Sequence, residues 1–120
     1  GESLLADLLG PIGAGVVVTR VVPKSDNLKV AVVRELQADM TAAKLGKSNV
    51  YLLEGYTAAR IYVAGLRTAG KDPTRAKLKK AFDSMVDISI GDFRVHFAGD
   101  RVASKMVQLG VIDAQGRVRD

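Results

Sequence analysis

The spacing of apolar residues changes several times along the chain, and each change predicts a new element. Residues 2–10 place leucines at helical spacing and end on Gly10-Pro11, which predicts the last turns of an amphipathic helix whose beginning lies outside the sequence. Residues 13–23 are β-branched almost throughout and do not alternate. This pattern is typical of a strand buried on both faces in a parallel sheet, and Pro23 ends it.

Helical spacing returns in the next part of the chain. Ser25 or Asp26 can cap a helix, which is predicted to run to about Leu45. Gly46 is its natural stop. A short polar link at residues 47–49 leads to a second helix, which is apolar around most of its circumference, so we expect it to pack on more than one side. Its main stripe is Leu52, Tyr56, Ala59, Val63 and Leu66, widened by Leu53, Ala58, Ile61 and Ala64.

The second helix ends clearly, and a third helix follows it. Gly70 closes the second helix, and Pro73 prevents its continuation. Thr74 then stands in position to cap the third helix. The side of the third helix that we expect to be buried carries Leu78, Ala81, Phe82 and Met85.

Beyond Met85 the apolar period shortens to two, which predicts strands. Gly91-Asp92 is the turn or bulge between the first two of them. A strand, three helices and then several strands indicate an α/β or α+β chain. The predicted strands are residues 86–90, 93–97 and 105–113, followed by a tight turn and a short terminal strand.

Composition places the chain among folded proteins and leaves one alternative function open. It has 120 residues, of which 48% are apolar and 26% charged, unlike a disordered chain. Lys and Arg number 18 against 13 Asp and Glu, and their only dense group is Arg75–Lys80. That helix face could make the chain a free-standing basic module that binds nucleic acid or acidic protein. Aromatic residues are only 5% and Trp is absent, so stacking platforms for nucleic acid are not visible.

Few residues offer catalytic chemistry. Cysteine is absent, which excludes disulfides, thiolate metal sites and cysteine nucleophiles. His96 is the only histidine, and no nucleophile motif accompanies it. Asp87 and Asp92 flank a turn signal and are expected to be solvated. Because phosphate- and dinucleotide-binding motifs are also absent, we predict a chain that is not an enzyme and holds no metal or cofactor.

Three candidate residues stand at the entrance of the second helix, where free helix ends often meet ligand groups. Tyr56 falls on the apolar stripe and is assigned to the core. Glu54 is placed in the first turn of this helix, where a favourable interaction with the helix dipole explains the acidic residue without a ligand. It is also a further candidate for a ligand contact. Tyr51 precedes the helix and belongs to neither periodicity, so it is the best candidate for a pocket wall.

Three segments carry a resemblance to a known family. They are GVVVTRVVP (15–23), LEGYTAARIYVAGLRTAGKDPTRAKLKKAF (53–82) and ISIGDFRVHFAGDR (88–101). In this order and spacing, they resemble the C-terminal third of the branched-chain amino acid (Leu/Ile/Val-binding) type of periplasmic substrate-binding proteins of ABC transporters. The resemblance implies an α/β chain that is a fragment of the type I periplasmic binding protein fold, in which two lobes are joined by crossovers, with parts of both lobes present.

The same resemblance assigns segments to lobes. Pro23 would mark one crossover at the hinge, and Asp100 with Arg101 would mark another. The implied division is residues 1–22 as the end of the second lobe, 23–100 as part of the first lobe, and 101–120 as the return to the second lobe.

In that family the aromatic residue before the EGY helix can touch the ligand side chain, and here that position is Tyr51. Many relatives carry a His-Gln-Gly type segment after the residue that matches Asp100. This chain has residues 101–104, Arg-Val-Ala-Ser, instead, which puts contacts carried over to that loop in doubt. The resemblance implies an extracytoplasmic receptor of an ABC importer, which binds an amino acid or another small carboxylate in an interlobe cleft and delivers it to the permease.

Partners and location follow from the resemblance as well. The expected partners are a small-molecule ligand and an ABC permease, without nucleic acid and without insertion into a membrane. The expected location is the periplasm, and the signal peptide would not be present in this fragment. Because parts of two lobes would leave sheet edges and apolar helix faces open, we expect the fragment to self-associate or to pair with the rest of the receptor.

Overall fold

The helices and strands are grouped into two packed units, which lie along a molecule of 54 × 33 × 22 Å. The structure is a computed structural model that describes all 120 residues. The elements in chain order are α1 (Glu2–Leu9), a 3-10 helix (Gly10–Gly13), β1 (Val17–Arg20), α2 (Ala31–Ala42), α3 (Val50–Ala69), α4 (Arg75–Asp83), β2 (Ile88–Ile90), β3 (Phe93–Val95), β4 (Gln108–Ile112) and β5 (Val118–Arg119). We call α1, the 3-10 helix, β1, β4 and β5 the sheet unit, and α2, α3, α4, β2 and β3 the helical unit.

The sheet unit is an antiparallel sheet in the order β1-β4-β5, with α1 beside β5. The prediction of a parallel strand buried on both faces is wrong for β1, because β4 runs antiparallel to it and β1 forms an edge of the sheet. Val17, which pairs with Val111, lies on an exposed face, whereas Arg20 and Ile112 point to the buried face. One face and one edge of β1 are therefore uncovered.

The helical unit contains the main hydrophobic core. Its buried residues come mainly from α2, α3 and β3, so α2 and α3 pack over the hairpin that β2 and β3 form. Half-buried residues of α3 and α4, Tyr56 and Phe82 among them, extend this core. The buried cluster consists of Val22, Val32, Val33, Leu36, Met40, Leu53, Met85, Phe93 and Val95.

Helix α2 begins at Ala31, so the prediction that Ser25 or Asp26 caps it is wrong. The cap comes from the β2-β3 turn instead, because the Asp92 carboxylate accepts a hydrogen bond from the Ala31 amide at 2.9 Å. The Gly91 carbonyl accepts another from the Val32 amide at 2.8 Å. Residues distant in sequence thus satisfy the free amides of the first turn.

The end of α2 also differs from the prediction. Lys44, not Gly46, adopts the left-handed conformation after the helix, with φ of 56°. The amide of Leu45 donates to the Met40 carbonyl at 2.9 Å, and the amide of Lys44 donates to the Thr41 carbonyl at 3.1 Å. This pair of bonds is the Schellman arrangement, which ends a helix without requiring glycine.

Helix α3 ends at Gly70 as predicted, but it buries a different face from the one predicted. Its buried residues are Leu53, Thr57 and Gly65, whereas Leu52 and Val63 of the predicted stripe are exposed. A Cβ atom at Gly65 would come within 2.5 Å of the Phe82 ring, so the glycine permits the close approach of α4. The expectation of packing on several sides is not met within this chain.

Several other predictions for the helical unit are confirmed, although Met85 lies beyond the end of α4 and β2 begins only at Ile88. The Thr74 hydroxyl accepts a hydrogen bond from the Lys77 amide at 3.2 Å and caps α4. Ala81 is buried on the predicted side of α4. The Gly91-Asp92 turn joins β2 to β3 with both residues in the left-handed region, a two-residue turn that favours these residue types. Strands β4 and β5 also form where expected.

Candidate functional site

A groove of about 210 Å³ lies where the two units meet, between the first turns of α1 and α3. Helix α1 has no side-chain cap, since its N-cap residue is Gly1. In α3 the Asn49 side chain accepts a hydrogen bond from the Leu52 amide at 3.0 Å. The lining residues are Gly1, Glu2, Ser3, Leu4, Asn49, Val50 and Tyr51.

Tyr51 forms a wall of this groove. The prediction that Tyr51 precedes the helix is wrong, because α3 begins at Val50 and Tyr51 is its second residue. Its surface is 64% exposed. Its hydroxyl oxygen accepts a hydrogen bond from the amino group of Gly1 at 2.7 Å. The ring also lies against Gly1, since a Cβ atom there would be 3.2 Å from a ring carbon. An aromatic face and a hydroxyl group at the junction of two units can contact both the apolar and the polar part of a small ligand.

Glu54 lies outside the groove lining and is exposed. Its assignment to the first turn of α3 is wrong, because the helix begins at Val50 and its first turn contains no acidic residue. The cap of this helix is Asn49, which the sequence analysis did not single out. The signal was present, since asparagine directly before an apolar run is a preferred N-cap.

A buried ion cluster next to the groove was also missed. Arg20 is only 4% exposed, and its guanidinium donates to Glu2 at 2.9 Å and to the Asp120 carboxylate. Burial alone would lower the pKa of Arg20, but its hydrogen bonds with Glu2 and Asp120 and their charges raise that pKa above its ordinary value. An arginine within an otherwise apolar strand sequence was the available signal, because such a charge requires a partner.

The predicted crossover residues lie away from the groove. Pro23 is in the irregular segment between β1 and α2. The Asp100 carboxylate accepts hydrogen bonds from its neighbours, the amides of Arg101 at 2.6 Å and Val102 at 3.4 Å. Asp100 therefore shapes a local turn, and Arg101 is exposed.

A larger groove of about 600 Å³ runs beside β3 and residues 96–106. His96 lies in it with its Nδ1 atom 3.4 Å from a carboxylate oxygen of Asp87, and both side chains are largely exposed. No three His, Asp or Glu side chains converge in a way that could hold a metal ion. None of its lining residues belongs to the sheet unit, so this groove does not join the two units.

The basic group of the alternative hypothesis lies on the solvent face of α4. Two of its cations are engaged locally, since Lys79 pairs with Asp83 at 2.6 Å and Lys77 donates to the Asp72 carbonyl at 3.2 Å. Exposed pairs at this spacing are common on solvated helix faces. None of the helices is long and apolar enough to cross a membrane.

Comparisons with known proteins point to one class. No protein-family model matches the chain, and no curated protein does. An extracellular ligand-binding receptor from Verminephrobacter eiseniae ef01-2 matches with 27% identity and a TM-score of 0.84 over 99% of this chain and 35% of the receptor. A substrate-binding periplasmic protein from Ralstonia solanacearum matches with 27% identity and a TM-score of 0.83, over 98% of this chain and 35% of that protein.

A third solved structure is a possible leucine/isoleucine/valine-binding protein from Rhodopirellula baltica SH 1, with 26% identity, a TM-score of 0.82, and coverage of 100% of this chain and 33% of that protein. This chain thus spans about a third of the length of each neighbour. Its fold is that of part of a periplasmic ligand-binding receptor, which confirms the predicted fold class and resemblance. All three neighbours are named as receptors or binding proteins, in agreement with the prediction that the chain is not an enzyme.

Proposed function

We propose that the chain is the C-terminal part of an extracytoplasmic solute-binding receptor of an ABC importer. The receptor would bind an amino acid or another small carboxylate between two lobes in the periplasm and deliver it to the permease. The observation that carries this proposal is the groove between the sheet unit and the helical unit, with Tyr51 in its wall. The similarity to three receptors over nearly the whole chain supports it.

The two units would belong to the two lobes. The sheet unit would be the end of the second lobe, and the helical unit would be part of the first lobe. Ala103 and Met106 pack against the core of the helical unit, and β4 of the sheet unit starts at Gln108. The second crossover would therefore lie nearer residue 107 than Asp100 and Arg101, whereas the first would remain at Pro23.

Ligand binding would act by closure of the lobes and would make or break no covalent bond. The first turn of α3 borders the groove, and a helix N-terminus favours a carboxylate. Tyr51 would cover the side chain of the ligand. A ligand that touches both units stabilises the closed arrangement by its extra contacts, and the permease would recognise that arrangement.

The test uses the full-length receptor that contains this chain. Isothermal titration calorimetry with leucine, phenylalanine and benzoate should show binding of at least one of them. Tyr51→Ala should weaken that binding about tenfold or more, equivalent to about 1.4 kcal/mol, because it removes an aromatic wall. Tyr62→Ala is the matched control, since Tyr62 is a 50% exposed tyrosine on the same helix but outside the groove lining.

Two outcomes would count against the proposal. If a broad panel of amino acids and aromatic acids gave no binding to the full-length receptor, the solute-binding role would be refuted. If Tyr51→Ala and Tyr62→Ala had equal and small effects on a ligand that does bind, the groove assignment would be refuted while the receptor function stood.

A further inference from the structure

Asn49 offers only one kind of hydrogen-bonding group to a ligand beside Tyr51. Its side-chain oxygen accepts a hydrogen bond from the Leu52 amide at 3.0 Å. Because a backbone amide can only donate, this bond fixes which atom of the side chain is the oxygen and which is the nitrogen. The Nδ2 atom, with its two N–H donors, makes no hydrogen bond within the chain, and Asn49 is an exposed residue that lines the groove.

Capping alone does not require asparagine at this position. Aspartate and serine cap helices about as well as asparagine, and glycine costs a helix only slightly more. In α4 a threonine fills the same role, since the Thr74 hydroxyl accepts a hydrogen bond from the Lys77 amide at 3.2 Å. What asparagine adds to a cap is the pair of N–H donors on the nitrogen of its side chain. These donors suit a ligand oxygen and gain nothing from a ligand ammonium group.

We propose that Asn49 is a specificity-determining residue, which donates hydrogen bonds from its side-chain amide to the carboxylate of the ligand that Tyr51 contacts. This inference rests on the proposed function and deepens it, because it assigns recognition of the acid group to one residue. The two side chains belong to one helix and its cap, so the backbone of α3 sets their spacing. Hydrogen bonds to a carboxylate are about twice as strong as neutral ones, so the receptor should prefer an acid to the uncharged amide of the same molecule.

The experiment measures dissociation constants in the full-length receptor by isothermal titration calorimetry. The probes are leucine, phenylalanine and benzoate, each compared with its own primary amide. Wild type should bind the acid about tenfold more tightly than the amide. Asn49→Gly removes both donors, so it should weaken the acid about tenfold and the amide, which loses only a neutral hydrogen bond, about threefold.

Asn49→Asp is the sharper variant. One carboxylate oxygen can keep the cap, while the other replaces the N–H donors with a negatively charged acceptor. The preference should reverse, because the new carboxylate repels the acid and accepts a hydrogen bond from the amide group of the other probe. Thr74→Asp is the matched control, since it places the same charge at the cap of α4, outside the groove lining, and should leave the ratio of the two constants unchanged.

A purely structural role for Asn49 would lower the unfolding temperature of Asn49→Gly without changing the ratio of the two constants. An unchanged ratio in Asn49→Asp, or an equal change in Thr74→Asp, overturns the inference. An unchanged affinity of Asn49→Gly for the acid overturns it as well, because the effect of Asn49→Asp would then be repulsion alone.

The inference and the proposed function fail in different ways. Wild type that binds none of the probes overturns the inference, whereas the broad ligand panel and Tyr51→Ala decide the proposed function separately. A receptor whose binding depends on Tyr51 but not on Asn49 keeps the proposed function and overturns only the role of Asn49.

Discussion

Tyr56 connects two helices of the helical unit through one side chain. Its hydroxyl group on α3 donates a hydrogen bond to Asp39 of α2 at 2.7 Å, and its ring packs against the hydrophobic core. Burial, followed by the hydrogen bond and the charge of Asp39, raises the pKa of Tyr56 to about 12. The neutral phenol can donate this bond and the phenolate cannot, so the folded state favours the protonated form.

This pKa shift predicts a pH dependence of stability. The raised pKa stabilises the fold fully below the ordinary tyrosine pKa of 10, and the stabilisation is lost as the pH rises toward 12. Tyr56→Phe should cost about 1 kcal/mol in urea unfolding at neutral pH, because the hydrogen bond is removed. The difference between wild type and variant should shrink above pH 10, and a difference that stays constant to pH 12 would contradict the assigned bond.

The start of α2 depends on a turn that is distant in sequence. Asp92 in the β2-β3 turn accepts a hydrogen bond from the Ala31 amide, and a Cβ atom at Gly91 would be 2.9 Å from Val32. The hairpin is thus fixed against the first turn of the helix. An acidic group at this end also interacts favourably with the helix dipole.

Removal of this remote cap should destabilise the fold. Asp92→Ala is expected to lower the free energy of unfolding by about 1 to 2 kcal/mol, because a helix cap is lost and alanine tolerates the left-handed backbone poorly. Chemical denaturation measures the change. Asp92→Asn is the matched control, since asparagine both caps helices and accepts this backbone conformation, and it should recover most of the loss. Equal losses in the two variants would show that the cap does not act as described.

At the scale of the whole molecule, large apolar surfaces face outward. The outer face of the sheet unit carries Val17, Leu109 and Val111, and the outer side of α3 carries Leu52 and Val63. Only 18 of the 120 residues are buried, which is few for a chain of this length. In the proposed receptor these faces would be covered by the rest of the protein.

The isolated chain is therefore expected to associate. Sedimentation velocity of the 120-residue chain should show dimers or larger species at micromolar concentration, because edge strands and apolar faces promote pairing. The full-length receptor, in which these faces would be covered, is the control. It should form assemblies with fewer copies than the isolated chain does. A stable, folded monomer of the isolated chain would contradict this expectation.

Local features of the chain were enough to predict most elements and some of their ends. Thr74 caps α4, Gly70 stops α3, and Gly91-Asp92 turns the hairpin, because each signal acts within a few residues of the structure that it determines. The position of Tyr51 at the entrance of a helix was likewise predictable from the sequence. Its role as a ligand contact stays a prediction.

Packing between distant segments decided the rest. The buried face of α3 could not be chosen from sequence, since the helix is apolar nearly all round and its packing against other elements, such as Phe82 of α4 against Gly65, selects the side. The start of α2 depends on a residue 61 positions away, and the pairing of Arg20 with Glu2 joins residues 18 apart. Such contacts form only when the chain has folded, so the groove is a property of the tertiary structure.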